Sequence, residues 1–174
     1  MNLKRISPRI AFVGGLIFFG ALLRLVPHWP NFTPIAAMAL FGGAYINKKH
    51  LAFLIPFAAL LVSDLFLGFH KWMIAVYISF GFVVLLGFML RTRVKIGSVL
   101  LATVVSSLLF FVITNFAVWL GSPFYSQDLA GLMESYTLAL PFLNNGILGD
   151  LFFSTVFFGG FYLVQKWYPS FKEA

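Results

Sequence analysis

The chain has 174 residues, 61% of them hydrophobic and only 10% charged, with a mean hydropathy of +0.96; these values exclude an ordinary soluble domain and make lipid the expected solvent. A spanning helix takes about 20 residues, so this length holds about six spans with short joints and leaves no room for a separate soluble domain. The net charge of +7 sits at helix ends in ones, twos and threes, which argues against nucleic acid as a partner, and the absence of cysteine excludes disulfides, thiolate metal sites and cysteine nucleophiles.

The first span is expected at about residues 10–25, behind the basic leader Lys4, Arg5 and Arg9. It has the look of a signal peptide, but the apolar run passes into Arg24-Leu25-Val26-Pro27-His28-Trp29-Pro30 with no small-residue cleavage site, so a permanent helix is predicted. Residues 34–46 form a short second span rich in small residues, suited to a tilted, partly re-entrant helix packed inside the bundle. The third, fourth and fifth spans follow at about 51–69, 72–90 and 96–120. After Gly121-Ser122-Pro123, the residues Leu129, Leu132, Met133, Tyr136 and Leu140 recur at helical spacing, which predicts an interfacial helix over about 127–140 that ends at Pro141. The sixth span covers about 145–164, closed by Lys166-Trp167-Tyr168 at the interface.

Six spans put both termini on one side. Lys4, Arg5, Arg9, Lys48, Lys49, Arg91, Arg93, Lys95, Lys166 and Lys172 fall on that side, and only Arg24 and Lys71 fall opposite. The basic side is expected to be cytoplasmic. Asp64, Asp128, Glu134 and Asp150 lie in the outer half, with only Glu173 inside. Counted along the helices, Asp64 lies about 6 Å below the outer end of its span, and Asn115 and Asp150 about 9 Å below theirs. Arg24 caps the first span at a similar level. Polar groups at that depth are expected to face one another or a wet cavity. The inner halves of the same helices carry almost no comparable residues, which favours a pocket open to the outside over a continuous pore.

The candidate substrate-binding residues are therefore Arg24, His28, Trp29, Asn31, Asp64, His70, Trp72, Asn115, Trp119 and Asp150, a set of aromatic walls with a few converging polar groups, and Tyr125 lies near them. Each has a plainer reading. The tryptophans and Tyr125 suit an aromatic belt, Arg24, Asp64 and Asp150 suit a structural ion pair, Asn115 suits an interhelical clamp, and the two histidines suit solvated loops. They lack the spacing of a metal site, and no cofactor is expected. The joint from Pro27 to Pro34 holds three prolines after Val26 and is expected to be a stiff loop, either a lid over the pocket or a rigid turn. Ala11/Gly15 and Ala39/Gly43 are small residues four apart, the spacing of close helix approach. Internal packing is the default for both pairs, but Ala11 and Gly15, near the cytoplasmic end of the first helix, are also the expected docking point for a partner subunit.

These residues carry a resemblance. The segment RLVPHWPNFTPIAAMALFGG from Arg24 to Gly43, Asp64 with Gly68 and His70, Thr114-Asn115-Phe116 with Trp119, and Pro141-Phe142 before Gly149-Asp150 resemble an uncharacterised family of bacterial transport-type membrane proteins, similar in topology to the substrate-binding S components of energy-coupling-factor (ECF) transporters. The resemblance implies an all-α, six-transmembrane-helix, ECF S-component-like bundle in the bacterial cytoplasmic membrane. It also implies an outward pocket gated by the joint after the first helix and energy from a separate coupling subunit and ATPase pair; the expected ligand is a vitamin- or cofactor-like small molecule, but no vitamin-specific motif carries a substrate over. S components typically present two alanines four apart on the first helix to that coupling subunit; here the second position is Gly15. The chain itself has no Walker A loop. Two other classes stand beside this reading. One is a small channel or scaffold. The other is an intramembrane aspartyl-type enzyme with Asp64 and Asp150 as paired carboxylates, although Ile147-Leu148-Gly149-Asp150 lacks the Gly-x-Gly-Asp element of such proteases and Ser63 stands where tyrosine is usual.

Overall fold

The computed structural model describes residues 7–171. Lys4, Arg5, Lys172 and Glu173, which enter the charge argument above, lie outside the described residues. The described chain is all-helical: α1 (Pro8–Leu23), α2 (Ile35–Tyr45), α3 (Lys49–Leu67), α4 (Met73–Leu90), α5 (Ile96–Gly121) and α6 (Leu129–Trp167), with a short 3-10 turn at Pro169–Phe171. Four of them, α3 to α6, are long and apolar enough to cross a membrane, whereas α1 and α2 are shorter. The exposed faces are mostly apolar, with residues such as Phe66, Ile74, Met89 and Leu101 turned outward, as expected where the surroundings are hydrocarbon.

The short second helix is the centre of the molecule. Its 11 residues are all buried, and at about 16 Å it covers only half of a bilayer's hydrocarbon thickness. It packs most extensively on α4, because glycines on both helices let the backbones meet. A Cβ on Gly87 would sit 2.5 Å from the Leu40 carbonyl oxygen, and one on Gly43 would strike the carbonyl of Val84. Buried helix ends need partners for their free backbone groups, and here other helices supply them. Arg91, at the end of α4, donates through Nε to Gly43 O at 2.8 Å, through Nη1 to Asn47 O at 3.2 Å and through Nη2 to Ile46 O. The carboxylate of Asp150 on α6 faces the backbone N–H of Ala37 in the first turn. The anion is at the N-terminus and the cation at the C-terminus, matching the helix dipole at both ends. Below the middle of α2, Phe41, Tyr45, Phe157, Phe158 and Phe161 interlock edge to face and tilted, with ring centroids 4.6–5.8 Å apart.

The chain departs from the sequence reading after Gly121. Residues 127–140 and 145–164 are not two helices. They form one helical run of 39 residues, Leu129–Trp167, that continues through Pro141 and contains one π turn at Thr155–Gly159. It starts where Asp128 caps it, accepting from Gly131 N at 2.8 Å and from Ser126 Oγ; those two bonds, the backbone one first, hold the Asp128 carboxyl below the usual range. Proline removes one backbone donor and crowds the carbonyl four residues before it, but helices in membrane bundles tolerate this where neighbouring groups and local adjustments accommodate the freed carbonyl. The first third of α6 lies alongside α5 as one arm of a hairpin: Tyr136 donates to Val112 O at 2.7 Å and its ring stands edge-on to Phe111. Most of the apolar stripe itself, Leu129, Met133 and Leu140, stays exposed.

Candidate functional site

At the end of the bundle that carries the joints after α1, α3 and α5, the helices leave a cavity of about 430 Å³. Its walls come from all around the bundle. Arg24 and His28 follow α1, Asn31 and Thr33 belong to the proline-rich joint, and Ile35 and Ala36 open α2. Trp72 and Val76 stand at the start of α4, with His70 just before it. Phe110, Phe111, Thr114 and Asn115 lie on α5, and Phe142, Gly146 and Asp150 on α6. The joint is fixed rather than free. Phe32 N donates to Trp29 O at 3.0 Å, and Asn31 takes a positive φ of 62° that turns the chain back. Phe32 and Thr33 then lie on Gly149 so closely that a Cβ there would sit 3.0 Å from the Phe32 backbone, while the Phe32 ring packs on Phe152 and Phe153. The joint thereby reaches down between the helices to begin α2 at the level of Asp150.

The polar groups divide into two clusters. On one side, Arg24 Nη1 pairs with Asp64 Oδ1 at 2.8 Å and also bonds Ser63 Oγ; Tyr77 donates to Asp64 Oδ2 at 3.0 Å. Both ions are nearly buried, with side-chain exposures of 10% and 4%. On the other, Asp150, 7% exposed, accepts from Ser107 Oγ at 2.7 Å and faces the Ala37 N–H. Below it the hydroxyls continue: Ser107 Oγ also lies 3.1 Å from Thr103 O, the alternative acceptor for its one hydrogen, and Thr103 Oγ1 donates to Ser154 Oγ at 3.0 Å. Chemically, this is a container with a guanidinium at one wall, a carboxylate at another, amide and hydroxyl groups between them and aromatic rings around.

Residues 4–171 match the profile of a family of unknown function, DUF6580. The chain belongs to this family. No curated protein and no solved structure matches it.

Of the ten residues of this DUF6580 chain singled out as substrate-binding, seven border the cavity: Arg24, His28, Asn31, His70, Trp72, Asn115 and Asp150. The other three do not. Asp64 is held behind Arg24 by the ion pair. Trp29 is 71% exposed and meets Phe32 edge-on, and Trp119 donates Nε1–H to Ser126 O at 2.9 Å, tying the joint after α5. Tyr125, in the same joint, is likewise absent from the cavity wall. Asn115 makes no interhelical bond among the described residues; its Nδ2 donates to Phe111 O of its own helix at 2.8 Å, leaving the amide oxygen for the cavity. Asp64 and Asp150 take separate partners and share no hydrogen bond, so the paired-carboxylate geometry is not formed. The sequence reading missed Thr33, Ser107, Thr114, Phe110, Phe111 and Phe142 in the wall. Ser107 and Thr103, and likewise Asp150 and Ser154, stand four apart on facing helices, a spacing that was legible. It extends the polar file about one helical turn deeper than the ionisable residues alone indicate.

Proposed function

We propose that this chain is the substrate-capturing subunit of a small-molecule uptake transporter in the bacterial cytoplasmic membrane, similar in role to an ECF S component. In this reading both termini are cytoplasmic, the cavity opens to the outside, and a vitamin- or cofactor-sized ligand is enclosed by the proline-rich joint. A separate coupling subunit and ATPase pair supplies the energy.

The reading rests on one feature, the cavity itself. At about 430 Å³ it is within the size range of small-molecule sites, and aromatic walls with few converging polar groups are the usual form of such a site. Trp72, Phe111 and Phe142 offer stacking surfaces, Asn115 an amide, Arg24 donors and Asp150 an acceptor. A through-pore is disfavoured by the interlocked rings of Phe41, Tyr45, Phe157 and Phe161 between the cavity and the basic end. Dependence on a partner is supported by the lack of any Walker A loop and by an open face on α1. Ala11 is exposed there, and a Cβ built on Gly15 meets nothing within 4 Å, so a partner helix has room to approach closely.

Thermal unfolding of the purified protein in detergent, screened against fractionated bacterial small-molecule extract, tests the reading. A ligand at a hundred times its Kd adds about 2.7 kcal/mol of stability, so at least one fraction raises the Tm of the wild type. Asn115→Leu and Trp72→Ala, both in the wall, lose that shift in protein that still unfolds cooperatively. An equal shift in both variants, or no active fraction for the wild type, contradicts the assignment.

A further inference from the structure

The two carboxylates buried among the helices are held in different ways. Asp64 has a cation against it, Arg24 Nη1 at 2.8 Å. Among the described residues Asp150 has none: its partner is the Ser107 hydroxyl at 2.7 Å, a neutral donor, and the backbone N–H of Ala37 in the first turn of α2 faces it. Dipoles of this kind hold a charge less firmly than a guanidinium does, and a carboxylate without a counter-ion at membrane depth is costly. Asp150 also borders the cavity, which gives it a path to water, whereas Asp64 is walled off by Arg24 and Tyr77.

The surroundings make the path one-sided. From Asp150 the hydroxyls of Ser107, Thr103 and Ser154 run one turn towards the basic end and stop where Phe157, Phe158 and Phe161 are buried. We propose that Asp150 is a reversible proton-binding site loaded from the cavity. A proton from cavity water adds to the carboxylate to give the neutral acid and returns by the same route. The groups that set its field are few. After α1 stand Arg24, whose charge Asp64 matches, and His28; before α4 stands His70. From α2 comes only the helix dipole. From α3 comes Asp64, turned to Arg24, and from α4 Tyr77, bonded to Asp64. α5 contributes the neutral Ser107 and Asn115, and no other residue of α6 in the wall is ionisable. Loading the proton therefore changes the net charge of the cavity by one. Any ligand with a cationic group competes with it.

Infrared spectroscopy of the full chain in liposomes, with aspartate carboxyls carbon-13 labelled and Asp128→Asn as background, reads the site without any organic ligand. Only Asp64 and Asp150 then carry the label, and asparagine keeps the helix cap. As the pH of the medium falls, an isotope-shifted protonated-carboxyl band is expected that persists in Asp64→Asn and vanishes in Asp150→Asn. Ser107→Ala moves this band to higher frequency, since the acid loses a hydrogen bond. If Asp150→Asn does not fold, Asp150→Glu, which lacks the label, is expected to remove the isotope shift. The absence of a titrating labelled band in the otherwise wild-type chain, or its survival in Asp150→Asn or Asp150→Glu, overturns the proposal. Because the probe is the proton alone, failure here leaves the capture of an organic ligand to its own test.

Discussion

At the scale of single residues, the Arg24–Asp64 pair and Asp150 divide the work of the buried charge. Arg24 serves both as a cavity wall and as the ion-pair partner of the buried Asp64, and Tyr77 completes the shell of Asp64. Removing one partner of such a pair leaves an uncompensated ion and costs about 3–5 kcal/mol, whereas replacing both with apolar residues of similar shape is often close to neutral. Asp64→Asn is thus expected to lower stability by about that amount, measured by thermal or denaturant unfolding in detergent, and Arg24→Met with Asp64→Leu to recover most of the loss. If Asp64→Asn unfolds like the wild type, the pair does not carry the stability assigned to it. Depth counted along each helix was enough to find Arg24, Asn115 and Asp150 from the sequence. It was not enough for Asp64, because depth does not say which way round the helix a side chain points, and Asp64 faces α4 and Arg24 rather than the cavity. The serine and threonine partners were harder to see, since a hydroxyl can satisfy itself on its own helix, as Ser106 does on Ala102 O, and so carries little signal.

At the scale of the elements, α2 explains why a helix too short to span belongs in the structure. It is capped at both ends by other helices and pressed onto α4 through Gly43 and Gly87, so it joins the inner bundle without facing lipid. Its shortness and small residues announced this in the sequence; its caps did not, because Asp150 and Arg91 are distant along the chain. Gly87→Val forces the backbones apart and is expected to cost at least about 1–3 kcal/mol, the usual range for overpacking, while Gly97→Val, where a Cβ meets nothing within 4 Å, is expected to cost much less. Equal effects on unfolding would contradict the close approach. The boundaries of α1 to α5 were legible to within two or three residues because apolar runs and breaker residues coincide. Pro141 was misread because proline, a helix breaker in soluble domains, is tolerated inside long spanning helices. Nitroxide labels at Leu138 and Phe152, both exposed and fourteen positions apart, report on this directly. A continuous helix puts their backbones about 21 Å apart, and two segments hinged at Pro141 give a distinctly shorter and broader distribution.

At the scale of the whole molecule, one end is basic and holds the aromatic seal, and the other is hollow and holds the buried carboxylates. This polarity was legible in the alternation of charged joints, which is also the ground for proposing that the hollow end faces outside. The cysteine-free chain allows the assignment to be checked in intact cells. Thr114→Cys, in the cavity wall, is expected to react with a membrane-impermeant maleimide added outside, and Arg93→Cys, at the basic end, only after the membrane is opened; the reverse pattern contradicts the orientation. What the sequence held only indirectly is the hollow itself, since it is made by residues from four helices and from two joints, the first of which takes a path between them that depends on Asn31 and Gly149. The most direct measurement of its purpose is native mass spectrometry of the protein released from membranes, comparing the wild type with Gly146→Phe, whose added ring projects into the cavity. The account predicts one small-molecule adduct of fixed mass on the wild type and none on Gly146→Phe; the same adduct on both, or none on the wild type even after incubation with cell extract, would contradict it.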